Sequence, residues 1–358
     1  MPITHRQVGF IEAKDNISRV GEGAFVRLKN GSIMLAYTEY YTPSPKDDAP
    51  ARLCCIYSHD EGETWGDYRV LLEKEDSDQN IMSVSFLRMP QGEILLFYLK
   101  KFVKDGNVIC QPHVRRSTDE GETWSDAICC GPRDFYYVVN NDRVVRLRNG
   151  RILMPAALYA PPLMGNPLYP FASLCFIVSD DGGYTWYEQE KEFRFPEEYR
   201  FGPEEPGLYE HEDGTIWCYI RTRLGYQWQM LSHDGGDTWT LPRPNTFFSS
   251  PNSPMLVKKV CGLTVAVFNP IPNFTTRDKY LRGRTPLLMV VSKTDGRTHD
   301  QEAFPISVVL EDDPKNDFCY PAILEGENYF LLAYFDSNNS NTPLNSMKVV
   351  KIDVNEIE

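Results

Sequence analysis

Six times along the chain a turn signal built on glycine runs directly into an apolar stretch. The clear copies are Asn30-Gly31 before Ile33-Met34-Leu35-Ala36-Tyr37 and Gln91-Gly92 before Ile94-Leu95-Leu96-Phe97-Tyr98. They continue with Asn149-Gly150 before Ile152-Leu153-Met154 and Asp213-Gly214 before Ile216-Trp217-Cys218-Tyr219. Weaker copies are Cys261-Gly262 before Leu263-Thr264-Val265 and Gly326 before Tyr329-Phe330-Leu331-Leu332. Asn-Gly and Asp-Gly ahead of a β-rich run mark tight hairpins, because glycine takes the left-handed backbone that such turns need. No apolar period of 3.6 residues stands out, so the pattern predicts strands throughout.

A second pattern interleaves with the first. Ser-x-Asp-x-Gly-x-Thr-Trp occurs at Ser58–Trp65, Ser117–Trp124, Ser179–Trp186 and Ser232–Trp239, with a degraded copy at Ser292–His299. The copies start roughly 53–62 residues apart, the size of one propeller blade. A short Asp side chain accepts bonds from its own loop, Gly supplies positive φ, and Trp packs back as a large apolar plug. Four full matches in register exclude chance. Each repeat therefore reads strand, Gly turn, strand, strand, Asp-box turn, strand. Six such units predict an all-β, six-bladed β-propeller of four-stranded antiparallel blades. The terminal strand around Met347-Lys348-Val349-Val350 is expected to share a blade with the N-terminal segment and close the ring. No composition break marks a second domain, so residues 1–358 read as one.

Bulk properties narrow the partners. The chain has 358 residues, 42% hydrophobic and 13% aromatic, enough to bury a core and too much for disorder. The net charge is −13, which argues against nucleic acid or an anionic membrane as partner. Local arginine clusters remain compatible with it. No apolar run is long enough to span a bilayer, and the N-terminus lacks the apolar core of a secretory signal, so a cytoplasmic location is expected. The nine Cys include the adjacent pairs Cys54-Cys55 and Cys129-Cys130, show no disulfide framework, and read as small buried hydrophobes. No metal, nucleotide or other cofactor motif is present.

In a propeller the inner strands line the axis at one face, so chemistry is sought there rather than at the peripheral Asp boxes. Six segments carry candidates. One is Glu204-Glu205-Pro206, followed by Asp213-Gly214 and Tyr219-Ile220-Arg221. Another is Arg282-Gly283-Arg284 ahead of an apolar strand, and a third is Phe318-Cys319-Tyr320. The first repeat offers Ser18-Arg19-Val20-Gly21-Glu22-Gly23 and the loop Pro45-Lys46-Asp47-Asp48. The third offers Asn140-Asn141-Asp142-Arg143.

Together with the Asp boxes, these segments resemble the sialidase (neuraminidase) superfamily. The resemblance implies a retaining exo-sialidase that releases terminal sialic acid from glycoconjugates. It assigns Tyr320 as nucleophile, Glu205 as its base and Asp47 as acid/base, with Asp48 as the alternate. Arg221, Arg284 (alternate Arg282) and Arg19 would form a carboxylate clamp. The first repeat departs from the family, since Arg19 lacks the flanking aromatic and Pro. Asn141 and Arg143 are candidate substrate contacts, Arg143 also as a replacement for Arg19, and His113 in Gln111-Pro112-His113 is a further channel-side candidate. The residue types suit the chemistry. Guanidinium groups bind a substrate carboxylate bidentately, and a neutral phenol escapes the repulsion a carboxylate nucleophile would meet. Two other functions fit the same residues: a propeller glycosidase or lyase for another acidic sugar, and a non-catalytic carbohydrate-binding propeller.

Overall fold

Each glycine turn closes a hairpin in the computed structural model, which describes residues 5–159, 172–196, 202–271, 283–338 and 344–357. Gly31, Gly92, Gly150, Gly214 and Gly262 all take positive φ between the first and second strands of their blades. The chain is a six-bladed β-propeller. Blade 1 comprises Arg19–Arg27, Ile33–Tyr40, Ala51–Ser58 and Gly66–Leu72, in that order from the axis outward. Blade 2 comprises Asp78–Arg88, Ile94–Lys104, Asn107–Ser117 and Ile128–Cys129. The inner strand of blade 3 is split into Tyr136–Val138 and Val145–Arg146; both pair with Ile152–Tyr159, which Ser173–Ser179 and Tyr187–Glu188 follow. A parallel bridge from Tyr136 to Cys110 joins blades 2 and 3 edge to edge.

Blade 4 runs Glu204–Glu210, Ile216–Arg221, Tyr226–Ser232 and Arg243–Ser249. Blade 5 runs Leu256–Val260, Leu263–Phe268, Leu287–Ser292 and Ile306–Glu311. Blade 6 takes Phe318–Glu325, Tyr329–Asp336 and Ser346–Asp353 from the end of the chain and its outer strand, His5–Ile11, from the beginning. The ring thus closes by pairing the two ends of the chain.

The Asp boxes lie between the third and fourth strands, at the periphery. In the first, Asp60 accepts from the Thr64 N–H at 2.9 Å and the Thr64 hydroxyl at 2.6 Å, while Ser58 Oγ accepts from the Gly62 N–H at 2.8 Å. The same bonds recur around Asp119, Asp181 and Asp234. The Asp60 and Asp119 carboxyls are pulled down to about 2, chiefly by the threonine hydroxyls. The degraded fifth box substitutes Thr294, whose hydroxyl meets Ser292 Oγ at 3.0 Å.

The core is divided among the seams between blades. Six apolar clusters fill the six seams. The box tryptophans of blades 1–4 each plug the seam with the preceding blade, for example Trp239 stacked on Phe176 at 4.1 Å. Such a stack adds about 0.5–1.5 kcal/mol beyond burial. In the fifth box His299 takes this place, stacked on Trp217 at 3.9 Å. Seven of the nine cysteines are buried, and all nine are free.

Candidate functional site

The inner strands are not regular. Pairing with the second strand slips between Gly21 and Ala24, Met82 and Ser85, Glu204 and Gly207, and Cys319 and Ala322. Each slip is a β-bulge that holds a non-glycine residue at positive φ: Glu22 (51°), Ser83 (60°), Glu205 (39°) and Tyr320 (57°). Bulges re-aim side chains, and strained backbone of this kind clusters at functional sites. Here the four bulge residues, from blades 1, 2, 4 and 6, line one cavity of about 280 Å³ at the axis.

Tyr320 Oη donates to Glu205 Oε1 at 2.8 Å. Arg221 donates to the other oxygen of Glu205, reaches Tyr320 Oη at 3.2 Å, and is braced by Asn252 at 2.7 Å. Arg284 lies 5.4 Å from the Tyr320 ring centroid and donates to Cys319 Sγ at 3.0 Å. Burial pushes the Tyr320 phenol far above its ordinary range and the Glu205 carboxylate adds to this, while Arg221 and Arg284 oppose it. The phenol is therefore protonated at neutral pH, with a carboxylate in place to take the proton.

Blade 1 supplies the opposite wall. Arg19 is buried and donates to both Glu22 and Asp47. Glu22 also accepts from Ser83 Oγ at 2.5 Å, and burial raises its carboxyl despite Arg19. Asp47 sits at the solvent-facing rim, and its backbone carbonyl is tied by Lys101 at 2.6 Å and Asn80 at 2.8 Å. Partial burial pushes the Asp47 carboxyl up, but Arg19 outweighs this, with Lys101 and Arg284 assisting, and holds it below its ordinary value. The Nε atoms of Arg19 and Arg284 are buried without a hydrogen-bond partner among the described residues. The cavity lining holds four cations (Arg19, Lys101, Arg221, Arg284) against four carboxylates (Glu22, Asp47, Glu204, Glu205), so the acidic chain carries a locally balanced site.

The structure thus brings Tyr320, Glu205, Arg221, Arg284, Arg19 and Asp47 to one cavity. Four other candidates lie elsewhere. Asp48 is exposed and outside the cavity lining. Asn141 is fully buried and donates to the carbonyl of Gly23 at 2.8 Å, tying blade 3 to blade 1 across the axis. Arg143 is 1% exposed and caps the carbonyls of Asn141 at 3.2 Å and Met255 at 2.6 Å, so it is a structural tie and does not replace Arg19. His113 lies on the third strand of blade 2, stacked on Tyr98, because Gln111-Pro112-His113 belongs to that strand and not to an inner one. Arg282 lies outside the described residues.

Sequence reasoning overlooked Glu22, Glu204, Lys101, Ser83 and Asn140, all on the cavity wall. For Glu22 a signal existed: a carboxylate between two glycines, three residues after Arg19.

Residues 54–332 match the family model described as a BNR repeat-like domain. No curated protein matches the chain. Among solved structures, the leech intramolecular trans-sialidase complexed with 2,7-anhydro-Neu5Ac is 14% identical, covering 98% of this chain and 70% of that one with a TM-score of 0.74. The intramolecular trans-sialidase from Ruminococcus gnavus is 15% identical, with 96% and 97% coverage and a TM-score of 0.72. The Penicillium chrysogenum alpha-L-arabinanase, at 14% identity, covers 99% of both chains with a TM-score of 0.64. At these identities the likeness is one of fold, a glycosidase-type propeller.

Proposed function

The chain belongs to the BNR repeat-like domain family, and from the groups gathered at its axis we propose that it is a retaining exo-sialidase. The observation that carries this reading is the half-buried Tyr320–Glu205 pair at 2.8 Å, set between Arg221 and Arg284. A phenol bonded to a carboxylate, beside guanidinium groups, suits a substrate with a carboxylate at its anomeric carbon. A Tyr nucleophile avoids the repulsion between two carboxylates.

In the proposed reaction Tyr320 Oη attacks the anomeric carbon as its proton passes to Glu205. The bond to the leaving oxygen breaks, and Asp47 protonates that oxygen. Water activated by Asp47 then attacks the tyrosyl-linked sugar, and Glu205 returns the proton to Tyr320. Arg19, Arg221 and Arg284 hold the substrate carboxylate.

In the free site Arg19 holds Asp47 ionised, so Asp47 takes up a proton from solvent on substrate binding, before it protonates the leaving oxygen. A substrate carboxylate that takes over Arg19 loosens that hold and raises the Asp47 pKa toward that of a usable acid. The same ion pair favours one second reading. Glu22 and Asp47 already occupy Arg19, which leaves a weaker anion clamp and suits a glycosidase or lyase for another acidic sugar.

The test is hydrolysis of fluorogenic sialosides by the wild type and Tyr320→Phe. Turnover by the wild type that is lost in the variant supports the proposal. No turnover of any sialoside linkage contradicts it.

A further inference from the structure

The wall of the cavity that blade 3 contributes holds a polar group with no part in the proposed chemistry. The inner strand of that blade stops pairing after Val138 and resumes at Val145. Asn140 lies in the gap, lines the cavity and is only 2% exposed. Its Oδ1 accepts from the backbone N–H of Asn141 at 2.7 Å. That bond fixes the amide's orientation, because a flipped amide would set its NH2 against an N–H donor. Nδ2, which carries two donor hydrogens, is buried without a partner among the described residues. Buried amide donors are costly to leave unpaired, and a binding cavity is where such a group finds its partner in a ligand.

We propose that Asn140 is a substrate-recognition residue whose Nδ2 donates to a neutral acceptor oxygen, a hydroxyl or carbonyl, on the bound sugar. Its surroundings support a neutral acceptor. Met82, Leu99, Val138 and Val139 line the same cavity, the Lys101 ammonium of blade 2 is held by the Asp47 carbonyl, and the arginines that suit a carboxylate come from blades 1, 4 and 5. The inference rests on the reading of this cavity as a sugar site, but not on which acidic sugar it takes.

Two variants separate recognition from folding. Asn140→Asp keeps the oxygen that accepts from Asn141 and replaces the donor with a second oxygen. Asn140→Ala removes both and adds no charge. Binding of N-acetylneuraminic, glucuronic and galacturonic acids to wild type and both variants is measured by titration calorimetry, with thermal unfolding to establish that each variant is folded. Both variants should bind the preferred sugar about tenfold or more weakly, the loss expected for one missing hydrogen bond in a buried site. Affinity within twofold of wild type in folded Asn140→Ala overturns this inference and leaves the proposed activity standing. Binding of a uronic acid in place of N-acetylneuraminic acid, weakened by Asn140→Ala, supports the inference and overturns the proposed substrate. If the wild type binds none of the three, both are overturned.

Discussion

Tyr320 and Glu205 come from blades 6 and 4, sit 115 residues apart in the chain, and share a 2.8 Å hydrogen bond at the axis. Both occupy β-bulges with positive φ, at 57° and 39°. If Glu205 is the base for a phenol that burial keeps protonated, Glu205→Gln should lower kcat by about 10²–10⁴ with little change in KM. The isosteric amide keeps the shape of the site. Steady-state kinetics on a fluorogenic sialoside measures both constants, and an unchanged kcat would remove Glu205 from the mechanism.

Arg143 and Arg221 are both buried arginines near the axis, and the structure gives them different tasks. Arg143 caps the Asn141 and Met255 carbonyls, whereas Arg221 contacts Glu205 and Tyr320. Arg143→Met should therefore destabilise the fold by about 1–3 kcal/mol, because two buried carbonyls lose their donors. KM of the folded protein should stay at the wild-type value. Denaturant unfolding and kinetics on one preparation check both halves.

Gly62 of the first Asp box and Gly31 of the first hairpin differ in what surrounds them. At Gly62, with φ of 84°, an added Cβ would lie 2.7 Å from the Leu331 side chain, while at Gly31, with φ of 89°, it meets nothing within 4 Å. Gly31→Ala should cost only the penalty of left-handed backbone, about 1–2 kcal/mol. Gly62→Ala adds overpacking in the seam between blades 1 and 6, about 1–3 kcal/mol more. Equal melting temperatures for the two variants would contradict the packing described for the box.

Histidines 211 and 299 face each other across the seam of blades 4 and 5, Nε2 to Nε2 at 2.8 Å. One ring donates and the other accepts across this contact, so protons on both Nε2 atoms would set two donors against each other. Burial lowers both, His299 to about 3 from 6.5, against the Asp295 carboxylate beside His211 and alongside the cation of Arg243. A depressed histidine binds protons more readily when unfolded. Stability is thus fully present above pH 6.5 and falls as pH drops below it, by about 2 kcal/mol at pH 5. Denaturant midpoints at pH 7 and 5 measure the loss, and His299→Phe should remove much of the difference. An identical pH dependence in that variant would exclude the pair as its source.

The ring was legible because its signals are local. Gly31, Gly92, Gly150 and Gly214 need positive φ, and the Asp60-type boxes satisfy their own loops, so each announces a turn without tertiary help. The site was legible where the family resemblance singled out residues that the structure brings to the cavity, as with Glu205, Arg221 and Tyr320. Elsewhere the bulges defeated the reading. A bulge shifts the alternation of faces by one residue, so a period of two cannot say which neighbour points inward. In the break between Val138 and Val145 no strand pairing sets which neighbour faces the axis, and there Asn140 lines the cavity while Asn141 is buried. Glu22 was hidden by a bulge: the slip between Gly21 and Ala24 turns it toward Arg19. His113 failed on strand order, since its run is the third strand of blade 2.

The central claim is that Tyr320 forms a covalent bond to the sugar, and trapping tests it most directly. An activated sialoside carrying fluorine beside the anomeric carbon slows breakdown of the intermediate, so peptide mass spectrometry can locate the adduct. The account predicts one sialyl unit on Tyr320 in the wild type, and none in Tyr320→Phe. An adduct on another residue, or release of the leaving group with Tyr320 unmodified at every time point, would contradict it.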